Sequence, residues 1–254
     1  MLSVKVIIPV YKAVLSDYDR ISLDQVCRVL GNYPLVVIKP LSLDLTGLLE
    51  EYPQLQTESF PDHYFAGIAG YNQLMMSSLF YERFLDTDYI LIYQLDAYVF
   101  RDELLQWCEK DYDYIGAPWL KKRIYDNLFV GWWMQMVYKR QVRKGIPSKQ
   151  SLYNKVGNGG LSLRKVKSHY EATRNYLPVI NKFLSFRMHL YNEDVFWATE
   201  IAEFAYPDAI EALHFSFDKY PKYSSRLTKG ALPFGCHGWY KRKMRSYWRP
   251  VIGF

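Results

Sequence analysis

An α/β fold built around a mostly parallel sheet flanked by helices is what this sequence predicts, on three observations. Two Val- and Ile-rich runs, VKVIIPVY near the start and YPLVVIKP from Tyr33, have the unbroken apolar character of strands buried on both faces. Between them ISLDQVCRVLG repeats its apolar residues with helical spacing, and strand, helix, strand at such short intervals opens a doubly wound, Rossmann-like sheet. The run DYILIYQLDAYVF is the strongest strand signal in the chain. With 254 residues, half of them hydrophobic and 23 % charged, the chain can enclose one substantial core, and a single domain over 1–254 is expected.

Taken in order, Pro9 ends the first strand. In the helix that follows, Leu23, Val26, Cys27 and Leu30 share one face, Ser22 and Gln25 have capping-box spacing, and Gly31 supplies a stop. Gly67 to Phe84 reads as one helix with Tyr71, Leu74, Met75, Ser78 and Leu79 on or near one side. The strong strand comes next, then a helix capped by Asp102 through DELLQWCEK, then DYDYIGAPW as a strand ending at a bend. Residues 120–150 look like an insertion.

The net charge of +6 is unevenly spread: residues 120–150 hold eight Lys or Arg against Asp126, and 239–254 hold five against no acid. Both segments also carry Trp, Tyr or Phe, a mixture suited to an anionic membrane surface. No DNA- or RNA-binding pattern accompanies the charge, so nucleic acid is not an expected partner. The longest apolar run, Leu128 to Tyr138, has 11 residues, and a membrane span needs about 20. Cys27, Cys108 and Cys236 are too few and too scattered for a disulfide framework or a Cys-rich zinc site, which fits a reducing compartment. The start of the sequence has no signal-peptide pattern, and a cytoplasmic location is expected.

Four features carry chemistry. Asp96 lies at the carboxyl end of the strong strand with Gln94 two residues earlier on the same side, where open α/β sheets bind ligands; a hard cation such as Mn²⁺ or Mg²⁺ takes such an oxygen, and a loop-capping Asp has the same signature. VGNGGLSLR sets Asn158, Gly159 and Gly160 in a loop that can approach a ligand closely or turn tightly into a strand. In YNEDVFWA the adjacent acids Glu193 and Asp194 precede a helical run, one able to cap it while the other serves as a general base. His237 lies between small residues in LPFGCHGW, next to Trp239.

In this order QLDA, GNGG, NED and CHGW resemble the pattern of GT-A glycosyltransferases. With PVY at Pro9 to Tyr11, YN at Tyr71 and Asn72, and GAPW at Gly116 to Trp119, the chain is more closely similar to a bacterial glycosyltransferase-like family. The resemblance spans nearly the whole chain. It implies a GT-A sheet, and transfer of a hexose from a UDP-sugar to a glycan or lipid-linked glycan of surface polysaccharide synthesis. The DxD motif of such enzymes falls on Gln94 to Asp96, so Asp96 and His237 are the implied metal ligands, and Gln94 in place of the first acid leaves metal-independent catalysis open. The acidic pair implies inversion with Asp194 as base and Glu193 as rival. Pro9, Tyr11, Tyr71, Asn72, Gln94, Asp96, Asn158, Gly159 and Gly160 would border the donor, and Trp119, Trp197 and Trp239 would stack on the acceptor. About 1–118 would then be a donor half and about 119–254 an acceptor half. The combination of basic patches and no export signal suggests work at the inner face of the plasma membrane. A retaining transferase, a sugar nucleotidyltransferase and a silent glycan-binding protein are the competing readings.

Overall fold

The computed structural model describes residues 2–121, 125, 127–144 and 148–254. Lys122, Arg123 and Asp126 of the basic stretch lie outside the described residues.

Six strands, several of them drawn from the apolar runs of the first half, form one sheet. These are β1 (Val4–Pro9), β2 (Leu35–Pro40), β3 (Leu55–Phe60) and β4 (Tyr89–Tyr93), followed by the shorter β6 (Tyr114–Gly116) and β7 (Leu161–Lys165). The spatial order is β3-β2-β1-β4-β7-β6. The first four strands are parallel, while β7 runs antiparallel to both β4 and β6. Strand alternation divides the core in two. Val6 and Ile8 of β1 and Leu91 of β4 pack with Leu23, Val26 and Leu30 of α1 (Asp17–Leu30) on one face. On the other, Ile7, Ile38, Ile90 and Ile92 pack under α3 (Gly67–Met75), α4 (Ser78–Glu82), α7 (Val166–Asn175), α8 (Leu177–Leu184) and α9 (Glu193–Thr199).

A small second sheet joins β5 (Ala97–Val99), β9 (Gly235–His237) and β8 (Ser216–Phe217) in the order β5-β9-β8. Tyr98, Phe217, Cys236, Trp239, Met244 and Trp248 form its own apolar cluster, which brings in α12 (Arg245–Ile252). The remaining helices are α2 (Thr46–Glu51), α5 (Leu104–Glu109), α6 (Leu128–Arg143), α10 (Ala209–Phe215) and α11 (Pro221–Leu227). Among the described residues no helix is long and apolar enough to cross a membrane.

Three expected elements differ from those observed. Helix α1 starts at Asp17 with Ser16 as its cap, in a true capping box with Asp19. The Ser22 and Gln25 pair read as a cap instead lies inside the helix, where Ser22 Oγ donates to Ala97 O at 2.6 Å and Gln25 Nε2 to Val99 O at 2.5 Å, docking α1 on β5. The helix read over Gly67 to Phe84 breaks after Met75 and restarts at Ser78, because Ser77 caps the new turn by accepting from Phe80 N. The single strand read over 88–100 is two strands belonging to different sheets, β4 and β5, with Gln94 to Asp96 forming the crossing between them.

Candidate active site

The neighbouring parallel strands β1 and β4 end at a pocket of about 440 Å³. Pro9, Tyr11, Lys12 and Asp19 line it after β1, and Tyr71 and Asn72 reach it from α3. Gln94 and Asp96, Asn158 to Gly160, Asn192 to Asp194 and His237 complete the polar wall. Every residue expected to border a donor, hold a metal or act as a base therefore faces one pocket.

Backbone hydrogen bonds fix the crossing that carries Asp96. Gln94 N donates to Gly160 O at 2.9 Å, Ala97 N to Gln94 O at 2.8 Å, and Gly238 N to Asp96 O at 2.7 Å. The Asp96 carboxylate then meets two cations. Oδ1 lies 2.9 Å from His237 Nε2, Oδ2 lies 2.7 Å from Lys241 Nζ, and His237 Nδ1 is 3.4 Å from Asp218 Oδ1. Burial alone would raise the Asp96 carboxyl, but the charges of His237 and Lys241 outweigh it and hold the group well below the usual carboxylate range. Burial works against a charged His237, and Asp96 and Asp218 overcome it, raising the imidazole to about 9.

The glycine loop is shaped by protein side chains as well as by the space it leaves. A β-carbon on Gly160 would sit 2.2 Å from His237 Nε2, and one on Gly159 would sit 2.0 Å from Glu193 Oε1. Between the strands and helix α9 there is thus room for backbone only. Asn158 adopts a left-handed conformation at φ 57°, and its Oδ1 accepts from Gly160 N at 3.2 Å. Gly160→Ala is expected to push His237 out of its contact with Asp96 and to cost about 1–3 kcal/mol, the range for overpacking a filled site. Chemical denaturation of the variant beside the parent chain checks this.

Helix α9 is pinned at its first turn. Asn72 Oδ1 accepts from Glu193 N and Asn72 Nδ2 donates to Asn192 Oδ1, both at 3.1 Å, so Asn72 fixes where the acidic pair begins. Glu193 then pairs with Arg164 of β7, at 2.9 and 3.2 Å from Nη2 to its two oxygens, and both side chains are buried. Arg164 also donates to Tyr81 Oη at 2.9 Å and, from Nε, to Ser162 Oγ at 3.1 Å. Burial pushes the Glu193 carboxyl up to about 7 against the pull of this guanidinium. Among the described residues no cation is ion-paired with Asp194: its Oδ1 accepts from Val195 N at 2.9 Å, and burial raises its carboxyl too.

The three tryptophans expected to stack on an acceptor do not line the pocket. Trp197 and Trp239 are fully buried, Trp197 among Tyr81, His169 and Phe204, and Trp239 with its Nε1 donating to Ala97 O at 3.2 Å. Both are core residues. Trp119 is half-buried, and its ring packs so closely on Gly157 that a β-carbon there would lie 2.1 Å away. Charged neighbours of the site escaped the sequence reading, among them Lys12 and Asp19 on its lining after β1, together with Arg164, Lys241 and Asp218. Arg164 was visible in GNGGLSLR as a charge at strand spacing from Ser162, on the face opposite Leu161 and Leu163. Lys241 was lost in the basic tail, and Asp218 follows the apolar FSF without a pattern of its own.

Asp96 and His237 fit a divalent cation. Their facing atoms are 2.9 Å apart, near the separation of about 3 Å between adjacent ligands of an octahedral ion with bonds of about 2.1 Å. His237 Nε2 is buried and makes no aligned hydrogen bond, so the contact with Asp96 is ionic and the lone pair is uncommitted once the proton leaves. Among the described residues no group of three or more His, Cys, Asp or Glu is gathered in a metal-binding cluster, so any further ligands would come from water and substrate.

A mostly parallel sheet with one reversed strand, a small second sheet, and an acid at the crossing between them define the architecture of GT-A glycosyltransferases. An active-site mutant of LgtC is similar over 98 % of this chain and 95 % of its own, with a TM-score of 0.59 and 12 % identity. The galactosyltransferase LgtC with donor and acceptor sugar analogues gives a TM-score of 0.55 at 12 % identity over the same shares. Apo mouse xyloside xylosyltransferase 1 matches with a TM-score of 0.56 and 11 % identity, covering 93 % of this chain and 98 % of its own. Core-mannan synthase A (Ktr4) from Aspergillus fumigatus, in an Mn/GDP form, gives 0.50 at 13 % identity over 78 % and 69 %. The chain itself belongs to the family described as "Protein of unknown function (DUF5672)", whose model matches residues 54–237 and so takes in the pocket from Tyr71 to His237. No curated protein matches the sequence.

Proposed function

We propose that this protein is a glycosyltransferase that moves a hexose from a UDP-sugar to a hydroxyl of a glycan or lipid-linked glycan, with inversion. The observation that carries the reading is the convergence of the acid at the sheet crossing, the glycine loop and the acidic pair of α9 on one pocket beyond the strand ends. Residues 1–118 would supply most of the donor side and 119–254 most of the acceptor side. Tyr11, exposed after β1, and Tyr240, which also lines the pocket, offer ring faces to the base. Asn158, Gly159 and Gly160 would border the transferred sugar.

Asp194 is the better base of the two acids, because Glu193 is already committed to Arg164. In the step proposed, the acceptor oxygen attacks the anomeric carbon, its proton passes to an Asp194 oxygen, and the bond to the diphosphate breaks with its electrons leaving on the phosphate. Asp96 and His237 would hold Mn²⁺ or Mg²⁺, which supplies positive charge to the departing diphosphate when bound. A metal-independent version has an observation of its own: Lys241 already places an ammonium 2.7 Å from Asp96, and Gln94 lacks the charge of the usual first acid. The acceptor would enter over a second depression of about 800 Å³, which shares Ile68, Asn72 and Asn192 with the first and presents Phe186 stacked on Tyr191. The three free cysteines support a cytoplasmic setting.

A thermal-shift series with UDP-sugars in Mn²⁺, Mg²⁺ or EDTA tests the reading. One UDP-hexose with metal is expected to raise the melting temperature, a ligand at a hundred times its Kd contributing about 2.7 kcal/mol, and Asp96→Ala should abolish the effect. The same shift in EDTA would favour the Lys241 version; no shift with any donor would overturn the proposal.

A further inference from the structure

Helix α6 is unusual in having no buried residue along its 16 positions. One side, from Val130 and Gly131 through Met134, Val137, Tyr138 and Gln141, is half-buried, and Gln150 Nε2 ties it down by donating to Met134 O at 2.9 Å. The outer ridge consists of Phe129, Trp132, Trp133, Met136, Arg140 and Arg143, spaced by the threes and fours that align residues on a helix. Its first two turns are apolar and open, with Phe129 85 %, Trp132 62 %, Trp133 59 % and Met136 52 % exposed. Its last two turns are cationic and exposed, Lys139 and Lys144 flank the arginines, and residues 127–144 contain no acid.

We propose that this ridge docks on an anionic lipid bilayer, with the aromatic half in the headgroup and upper acyl region and the cationic half against lipid phosphates. Charge complementarity selects this occupant, since large rings beside a run of cations on a helix that carries no acid are what an anionic interface takes up. The helix lies on the surface and does not span it. The other basic segment does not share this chemistry: Trp239 and Trp248 are fully buried in the small-sheet cluster, leaving the tail cationic outside without exposed tryptophan. Of the seven tryptophans only Trp132 and Trp133 are exposed, so they alone can report on lipid contact.

The test is co-sedimentation of the full chain with vesicles of phosphatidylcholine alone and of equal parts phosphatidylcholine and phosphatidylglycerol. Binding is expected only to the anionic vesicles, falling as salt rises. The pair Trp132→Ser with Trp133→Ser, and separately Arg140→Ser with Arg143→Ser, should each weaken it about tenfold, whereas Arg242→Ser with Lys243→Ser in the tail should leave it nearly unchanged. Vesicles with brominated acyl chains should quench the fluorescence of the parent protein, a readout that needs no variant. Equal binding by the ridge variants, loss of binding in the tail variant, absence of quenching, or a dimer broken by the ridge substitutions without vesicle binding would each overturn the proposal.

Discussion

Arg164→Met is expected to be the most destabilising single substitution around the site, lowering the unfolding free energy by about 3–5 kcal/mol. The guanidinium is fully buried and is the cation that faces Glu193, with further bonds to Tyr81 and Ser162. Removing it leaves the Glu193 carboxylate in a pocket wall with no compensating charge, and burial already raises that carboxyl. The double variant Arg164→Met with Glu193→Gln should recover much of the loss, because it removes the stranded charge together with its partner. Urea denaturation of the two single variants and the double one closes a thermodynamic cycle. A double variant no more stable than Arg164→Met alone would mean that shape, and not charge, is what Arg164 supplies.

The second large effect is on turnover. Asp194→Asn should reduce transfer by about 10²–10⁴-fold, the usual contribution of a positioned base, while leaving the melting temperature close to that of the parent. Asn keeps the oxygen that accepts from Val195 N, so the first turn of α9 loses no hydrogen bond. Glu193→Gln should also lower turnover, but through a displaced helix and with a drop in stability, and this difference separates the two acids. The anomeric configuration of the product, read by NMR, tests inversion directly. A retained configuration with an active Asp194→Asn enzyme would remove the base from the mechanism.

How much of this was legible in the sequence follows from the range of the interactions involved. Strands β1, β2 and β4 were readable because burial on both faces leaves an unbroken apolar run. The cap of α1 was misplaced because Ser22 and Gln25 carry the same local spacing as a cap while their true partners are carbonyls of Ala97 and Val99, more than seventy residues away. The residues that line the pocket beyond the strand ends were visible as short polar motifs in order. What joined them was not: Asn72 bonded to Asn192, Arg164 to Glu193 and Lys241 to Asp96 are all long-range pairs. The resemblance implied that Trp119, Trp197 and Trp239 stack on an acceptor, yet an indole ring is as well suited to filling a core, and Trp197 and Trp239 do that.

The crossing at Gln94 to Asp96 also sets where the chain can change length. Only three residues separate β4 of the large sheet from β5 of the small one, and this short link is held by backbone bonds from Gln94 to Gly160, from Ala97 to Gln94 and from Gly238 to Asp96. An insertion or deletion there would break one of these bonds or shift Asp96 away from His237, so relatives sharing the pocket should have no gaps at this point. Helix α6, which lies between β6 and β7 and has no buried residue, carries none of these bonds. Variation in length should accumulate there, letting the surface that meets the outside world change while the chemistry beneath stays in register.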